Sequence, residues 1–144
     1  MVQTVAVGTD GSGTADKAVD FAIDLAARYE AKIVFISAYV PVSESRLKRE
    51  AREAPDEVQW TINPAEDVDS TLRECEERAE ERGLRWASEA RQGDPAKILV
   101  ELAASNDADI LVIGNKGMDR KVLGSVPNSV SHNAPCSVLI VKTT

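Results

Sequence analysis

Two glycine-bearing stretches hold the residues whose types and spacing suit chemistry. The first is "VGTDGSGTAD", from Val7 to Asp16. The second is "GNKGMDRKVLGSVPNS", from Gly114 to Ser129. Glycine lets backbone approach a ligand closely. The start of a helix offers N–H groups and the positive end of a dipole to an anion. In the second stretch Gly124 and Ser125 stand where a helix should begin, and Gly114 and Gly117 precede them. Lys116, Arg120 and Lys121 add local positive charge. That composition suits a phosphate cradle. It equally suits a glycine-rich turn with a capped helix and solvated lysines, and spacing alone leaves both open.

Two familiar phosphate motifs are excluded. A P-loop requires G-x-x-x-x-G-K-[ST]. Here Gly117 is followed by Met118, and Gly124 runs directly into Ser125. A dinucleotide fingerprint requires G-x-G-x-x-G/A, with an acid closing the next strand. Gly11 and Gly13 are followed by Asp16, and the next strand ends "ISAYV" without an acid. In the first stretch Asp10, Ser12 or Thr14 is the expected cap of the following helix. Asp10 also has a functional reading, as a polar group able to bond a ribose or help hold a metal.

Other reactive groups lack partners in sequence. His132 is the single histidine, and no G-x-S-x-G elbow exists to complete a serine triad. His132 is expected on a surface or facing a second subunit. Cys75 and Cys136 are too few for a disulfide framework and belong to no metal-binding pattern. Both are expected to be inert thiols, as free cysteine is commonly buried. Trp60 and Trp86 are expected to anchor local packing. A dedicated phosphoryl-transfer enzyme would need more positioning groups than Asp10 and Arg120 supply. Slow hydrolysis is the most this set allows.

These residues must be held by a scaffold, and hydrophobic periodicity describes one. "TVAVG" is a short strand. From Thr14 the apolar positions Ala15, Ala18, Val19, Ala22, Ala26 and Tyr29 have helical spacing. "KIVFISAYV" is a continuous apolar run, as expected of a strand buried on both faces, and Pro41 ends it. Residues 42–62 read as a charged, partly helical surface excursion. Asn63, Pro64 and Gly83 bracket a second helix with a narrow apolar stripe at Val68, Leu72, Cys75 and Ala79. "LRWASEARQG" reads as a more exposed strand. Asp94 and Pro95 open a third helix, facing inward through Ile98, Leu99, Leu102 and Ala103. "ADILVIGN" is a strongly buried strand. "SVPNSVSHNA" is a short helix capped by Ser125, and "CSVLIVK" is the last strand. Alternating strands and helices imply α/β architecture: a doubly wound, Rossmann-like parallel sheet with helices on both faces. In such a sheet ligands bind beyond the carboxyl ends of the strands, where both glycine stretches lie.

The chain has 144 residues, enough for one domain spanning 1–144. Its formal charge is −7 and its pI about 4.8. That acidity argues against nucleic acid as a partner. No apolar run is long enough for a membrane span. "MVQTVAVGTDGS" lacks the basic start of a signal peptide, so the expected location is cytoplasmic.

With these residues in view, the chain resembles the universal stress protein (UspA) family over essentially its whole length. "VAVGTDGSGTADKAVDFAIDLA" is similar to the family's first strand, turn and helix. "ADILVIGNKG" and "LGSVPNSVSHNAPCSVLIVK" are similar to its C-terminal signature. The resemblance implies five parallel strands in the order 3-2-1-4-5 and a homodimer built on the last strand, residues 137–142. It implies a stress-response or signalling protein that binds ATP or another adenine nucleotide, cyclic AMP included, with Mg accompanying ATP. Some relatives bind none, and the alternative is a nucleotide-free dimeric interaction module. Matched residue by residue, Gly114 and Gly117 are the first glycine pair, and Gly124 and Ser125 the last. Val126 joins Ser125 on the phosphates through its backbone. Gly8, Thr9 and Asp10 form the turn that meets adenosine, and the backbone of Ala38 meets adenine. The family's binding pattern is G-x2-G-x9-G-[ST]. Here six residues, 118–123, replace the nine, so the loop over the phosphates is clipped.

Overall fold

A computed structural model describes residues 1–39, 65–115 and 123–142. Its strands are β1 (Thr4–Gly8), β2 (Lys32–Tyr39), β3 (Trp86–Gln92), β4 (Ile110–Asn115) and β5 (Ser137–Lys142). Four helices lie between them among the described residues: α1 (Gly13–Tyr29), α2 (Ala65–Glu81), α3 (Pro95–Ser105) and α4 (Ser125–Asn133). All strand pairs are parallel, in the order β3-β2-β1-β4-β5. The expected excursion at 42–62, Pro41, Trp60, and the Asn63–Pro64 start signal fall outside the described residues.

Alternation along each strand builds two cores. Val5, Val7, Ile33, Phe35 and Val112 point to the face covered by α1 and α2. Ala6, Val34, Ile36, Leu111 and Ile113 point to the face covered by α3 and α4. Phe35, Ile33 and Ile36 are wholly buried. Burying such a side chain stabilises by about 1.5–3 kcal/mol relative to exposure. The narrow stripe of α2 serves the same purpose, since Val68, Leu72, Cys75 and Ala79 are all buried against the first face. Burial pushes the Cys75 thiol up to about 12, so it stays protonated and unreactive.

Helix α1 differs from its sequence pattern at its end. Ile23 enters the core, whereas Tyr29 is 46% exposed. The helix stops at Tyr29, and the chain turns there so that Ala31 completes the core instead.

Three helices return the chain to the sheet by one device. Glu30, Gly83 and Asp107 take left-handed backbone, with φ of 54°, 70° and 52°. Each lets the next residue bond backwards: Ala31 N–H to Ala26 O, Leu84 N–H to Ala79 O, and Ala108 N–H to Ala103 O. This is a Schellman closure, which satisfies carbonyls otherwise left open at a helix end. At the amino edge of the sheet, Asp109 Oδ2 accepts from the N–H groups of Gln3 and Thr4 at 2.8 and 3.0 Å. Those bonds hold its carboxyl below the usual carboxylate range.

Candidate functional site at the carboxyl edge

Between β1 and β4 the strand order reverses. The chain runs outward from β1 through β2 to β3, then crosses back to place β4 on the other side of β1. The ends of β1 and β4 therefore flank a crevice of the kind where doubly wound sheets hold ligands.

On the β1 side a cleft is lined by Gly8, Thr9, Asp10, Ile36, Ala38, Pro95 and Leu99. The cleft is narrow and about half open to solvent. Four residues singled out from the sequence, Gly8, Thr9, Asp10 and Ala38, thus share one wall. The turn is tightly bonded. Thr9 N–H donates to Ile36 O at 2.9 Å, and Thr9 Oγ1 accepts from Gly11 N–H at 3.3 Å. Asp10 Oδ1 accepts from Ser12 N–H at 2.9 Å, and Ser12 Oγ accepts from Ala15 N–H at 3.1 Å. Ser12 is therefore the cap of α1, and Asp10 supports the cap from the preceding turn. A carboxylate has room for several donors, so that support is compatible with a ribose hydroxyl at Asp10.

Gly8 and Gly11 are small for different reasons. A Cβ on Gly8 would lie 2.6 Å from Leu99 Cδ2, so Gly8 makes room for α3, and Leu99 in turn floors the cleft. Gly11 has φ of 81° and would press a Cβ to 2.9 Å from Thr71 Oγ1 of α2. Gly13 would meet nothing within 4 Å.

On the β4 side lie Gly114, buried near the strand's end, and Gly124, Ser125 and Val126 at the start of α4. They share the sheet's carboxyl edge with the cleft but do not line it. Gly117, Lys116, Arg120 and Lys121 fall outside the described residues. The structure corrects the expected cap of α4. Gly124, not Ser125, is the N-cap, with extended backbone at φ −65° and ψ 171° and no side-chain cap bond. Ser125 is instead the first residue of the helix. The reason is Asn115, which the sequence reading left unassigned. This buried residue ends β4, and its Oδ1 accepts from Gly124 N–H at 2.9 Å. It pins the start of α4 to the end of β4 across the whole connecting span. The signal was present as a polar residue closing the apolar run "ILVIG".

The cleft has one carboxylate, Asp10, among its lining residues. Among the described residues no group of three or more His, Cys, Asp or Glu side chains could hold a metal. No described helix is long and apolar enough to cross a membrane. His132 is exposed in the last turn of α4. Trp86 packs partly buried against the first core and donates from Nε1 to Glu80 Oε1 at 3.2 Å.

A family model for the universal stress protein family matches residues 1–142. The chain belongs to the universal stress protein family. A universal stress protein of Mycobacterium tuberculosis is 39% identical over 146 residues, covering 99% of this chain and 97% of that one. One from Methanocaldococcus jannaschii is 30% identical, covering 99% and 83%. Among solved structures, a universal stress protein in complex with cAMP is 34% identical, with a TM-score of 0.72, covering 99% of this chain and 98% of that one. A family protein from Arabidopsis thaliana with AMP bound has a TM-score of 0.70 at 18% identity, covering 99% and 92%. That second likeness shows the shared fold alone. The Rossmann-like sheet and its strand order are thus those of other universal stress proteins.

Proposed function

We propose that this universal stress protein binds an adenine nucleotide at the carboxyl edge and acts in stress response or signalling through the bound state. The carrying observation is that Gly8, Thr9, Asp10 and Ala38 line one cleft at the end of β1, on the same edge of the sheet as the first turn of α4. Adenine would lie against the backbone of Ala38, ribose at Asp10, and phosphate at Ser125 and Val126. Gly114 and Gly117 would let the connecting backbone close on the ligand. The solved relative in complex with cAMP supports the ligand class.

The clipped span at 118–123 bears on which nucleotide is held. Six residues cover less of a polyphosphate than nine. One phosphate, as in AMP or cyclic AMP, needs only the helix start. The preferred ligand is therefore a nucleotide with one phosphate, and ATP, with its Mg, is the weaker candidate. Any Mg would travel with the phosphates, with Asp10 the nearest carboxylate of the cleft wall. The same clipped span supports the nucleotide-free interaction module as the second reading.

A homodimer through β5 belongs to the same proposal. β5 is an edge strand, and Val138, Leu139 and Ile140 on it are only half-buried. Apolar edges are normally paired or covered. Residues 1–144 are taken as one domain.

Calorimetric titration with cyclic AMP, AMP, ADP and ATP tests the nucleotide proposal. Saturable binding that weakens about tenfold or more in Asp10→Ala is expected, beyond the loss of about 1 kcal/mol in stability that follows from removing the acceptor of Ser12 N–H. No saturable binding of any of the four rejects it in favour of the interaction module.

A further inference from the structure

The strand register brings a cation to the start of α4. β4 and β5 are paired so that Asn115 stands opposite Lys142. Neighbouring strands lie about 4.8 Å apart, and directly paired residues project to the same face. Val138 and Ile140 pack into the core beneath α3 and α4, so alternation puts Lys142 on that face too. Asn115 is there as well, since its side chain holds the N–H of Gly124. Lys142 therefore stands one strand away from the residue that anchors the first turn of α4. It is exposed, and none of the described residues bonds or pairs with its ammonium group. Arg91, at the end of β3, is by contrast engaged by Glu101.

We propose that Lys142 contacts the ligand's phosphate and sets the preference of this site for phosphorylated over uncharged nucleosides. The inference rests on the adenine-nucleotide reading above. Its physical basis is the pairing of an ammonium point charge with backbone donors already aimed at one anion. The protein as a whole is strongly acidic and repels polyanions at long range. A cation at the rim offsets that repulsion where the phosphate docks. Lys142 lies beyond both glycine stretches in sequence, and only the register brings it to them.

The test is calorimetry of the intact protein, Lys142→Gln and Lys142→Arg with adenosine, AMP and cyclic AMP, at low and high salt. Lys142→Gln should weaken AMP about threefold to tenfold and leave adenosine within about twofold. Cyclic AMP, with less charge, should lose less than AMP. Lys142→Arg should keep AMP affinity close to the starting protein. The difference between Lys142 and Gln should shrink at high salt, because exposed charges are screened. AMP binding unchanged in Lys142→Gln overturns the assignment while leaving the nucleotide reading intact. An equal fall for AMP and adenosine also overturns it, since that pattern marks a structural effect. Failure of the starting protein to bind any of the three rejects the nucleotide reading and this assignment with it.

Discussion

Gly8 shows how one missing side chain serves both packing and the cleft. Leu99 occupies the space that a Cβ at position 8 would need, and Leu99 also floors the cleft. Leu99 is itself almost wholly buried, so it has little freedom to move aside. Gly8→Ala should destabilise the protein by about 1–3 kcal/mol, as overpacking does in a dense interior. It should also weaken any cleft ligand. Urea denaturation of Gly8→Ala beside the starting protein, with nucleotide titration of both, measures the two effects. Unchanged stability would show that Leu99 yields freely and that Gly8 is small for another reason. The sequence singles out Gly8 by its neighbours in "VGTDGSG", but the reason for glycine there is a contact with α3, many residues away. Asn115 was hidden by the same distance. Its bond to Gly124 closes only when β4 and α4 are folded, so local pattern favoured Ser125 as the cap.

Elements were the most legible level. Continuous apolar runs marked β2 and β4, and Asp94 with Pro95 marked the start of α3, where Asp94 Oδ2 accepts from Lys97 N–H at 3.1 Å. The ends of helices were less legible. Gly83 announced the end of α2, but Glu30 and Asp107 make the same turn without glycine. An L-residue in left-handed backbone costs about 1–2 kcal/mol, and both positions are exposed. Glu30→Gly and Asp107→Gly should therefore each stabilise the fold by up to about 1 kcal/mol, the gain being reduced by glycine's greater freedom when unfolded. Thermal or urea melts check this, and destabilisation of both would contradict the closure assigned to them. The α1–α2 pair carries a second feature that only the fold reveals. Asp16, Asp20 and Asp24 repeat every fourth residue on α1 and face Arg78 and Arg82 of α2. Arg78 meets Asp16 at 3.6 Å and also pairs with Asp20, while Arg82 meets Asp24 at 3.6 Å. Such exposed pairs contribute about 0–1 kcal/mol each, so the buried stripe of α2 holds it to the sheet more than they do.

At the scale of the whole molecule, the alternation of strands and helices implied a parallel sheet, and the universal stress protein resemblance supplied the strand order 3-2-1-4-5 that the structure has. That order matters because it turns two sequence-distant glycine stretches into neighbours. β1 and β4 pair with Val5 opposite Ile110 and Val7 opposite Val112, which brings the turn at Asp10 and the start of α4 to one edge. The proposed site is thus a property of topology, drawn from segments about a hundred residues apart. The most direct test of this account is a map of backbone amide chemical shifts during titration with AMP. Saturable shifts clustered at Thr9, Asp10, Ala38, Ser125 and Val126, with little change at the amino edge around Asp109, are predicted. An absence of saturable shifts, or a cluster that spares the ends of β1 and β4, would contradict it.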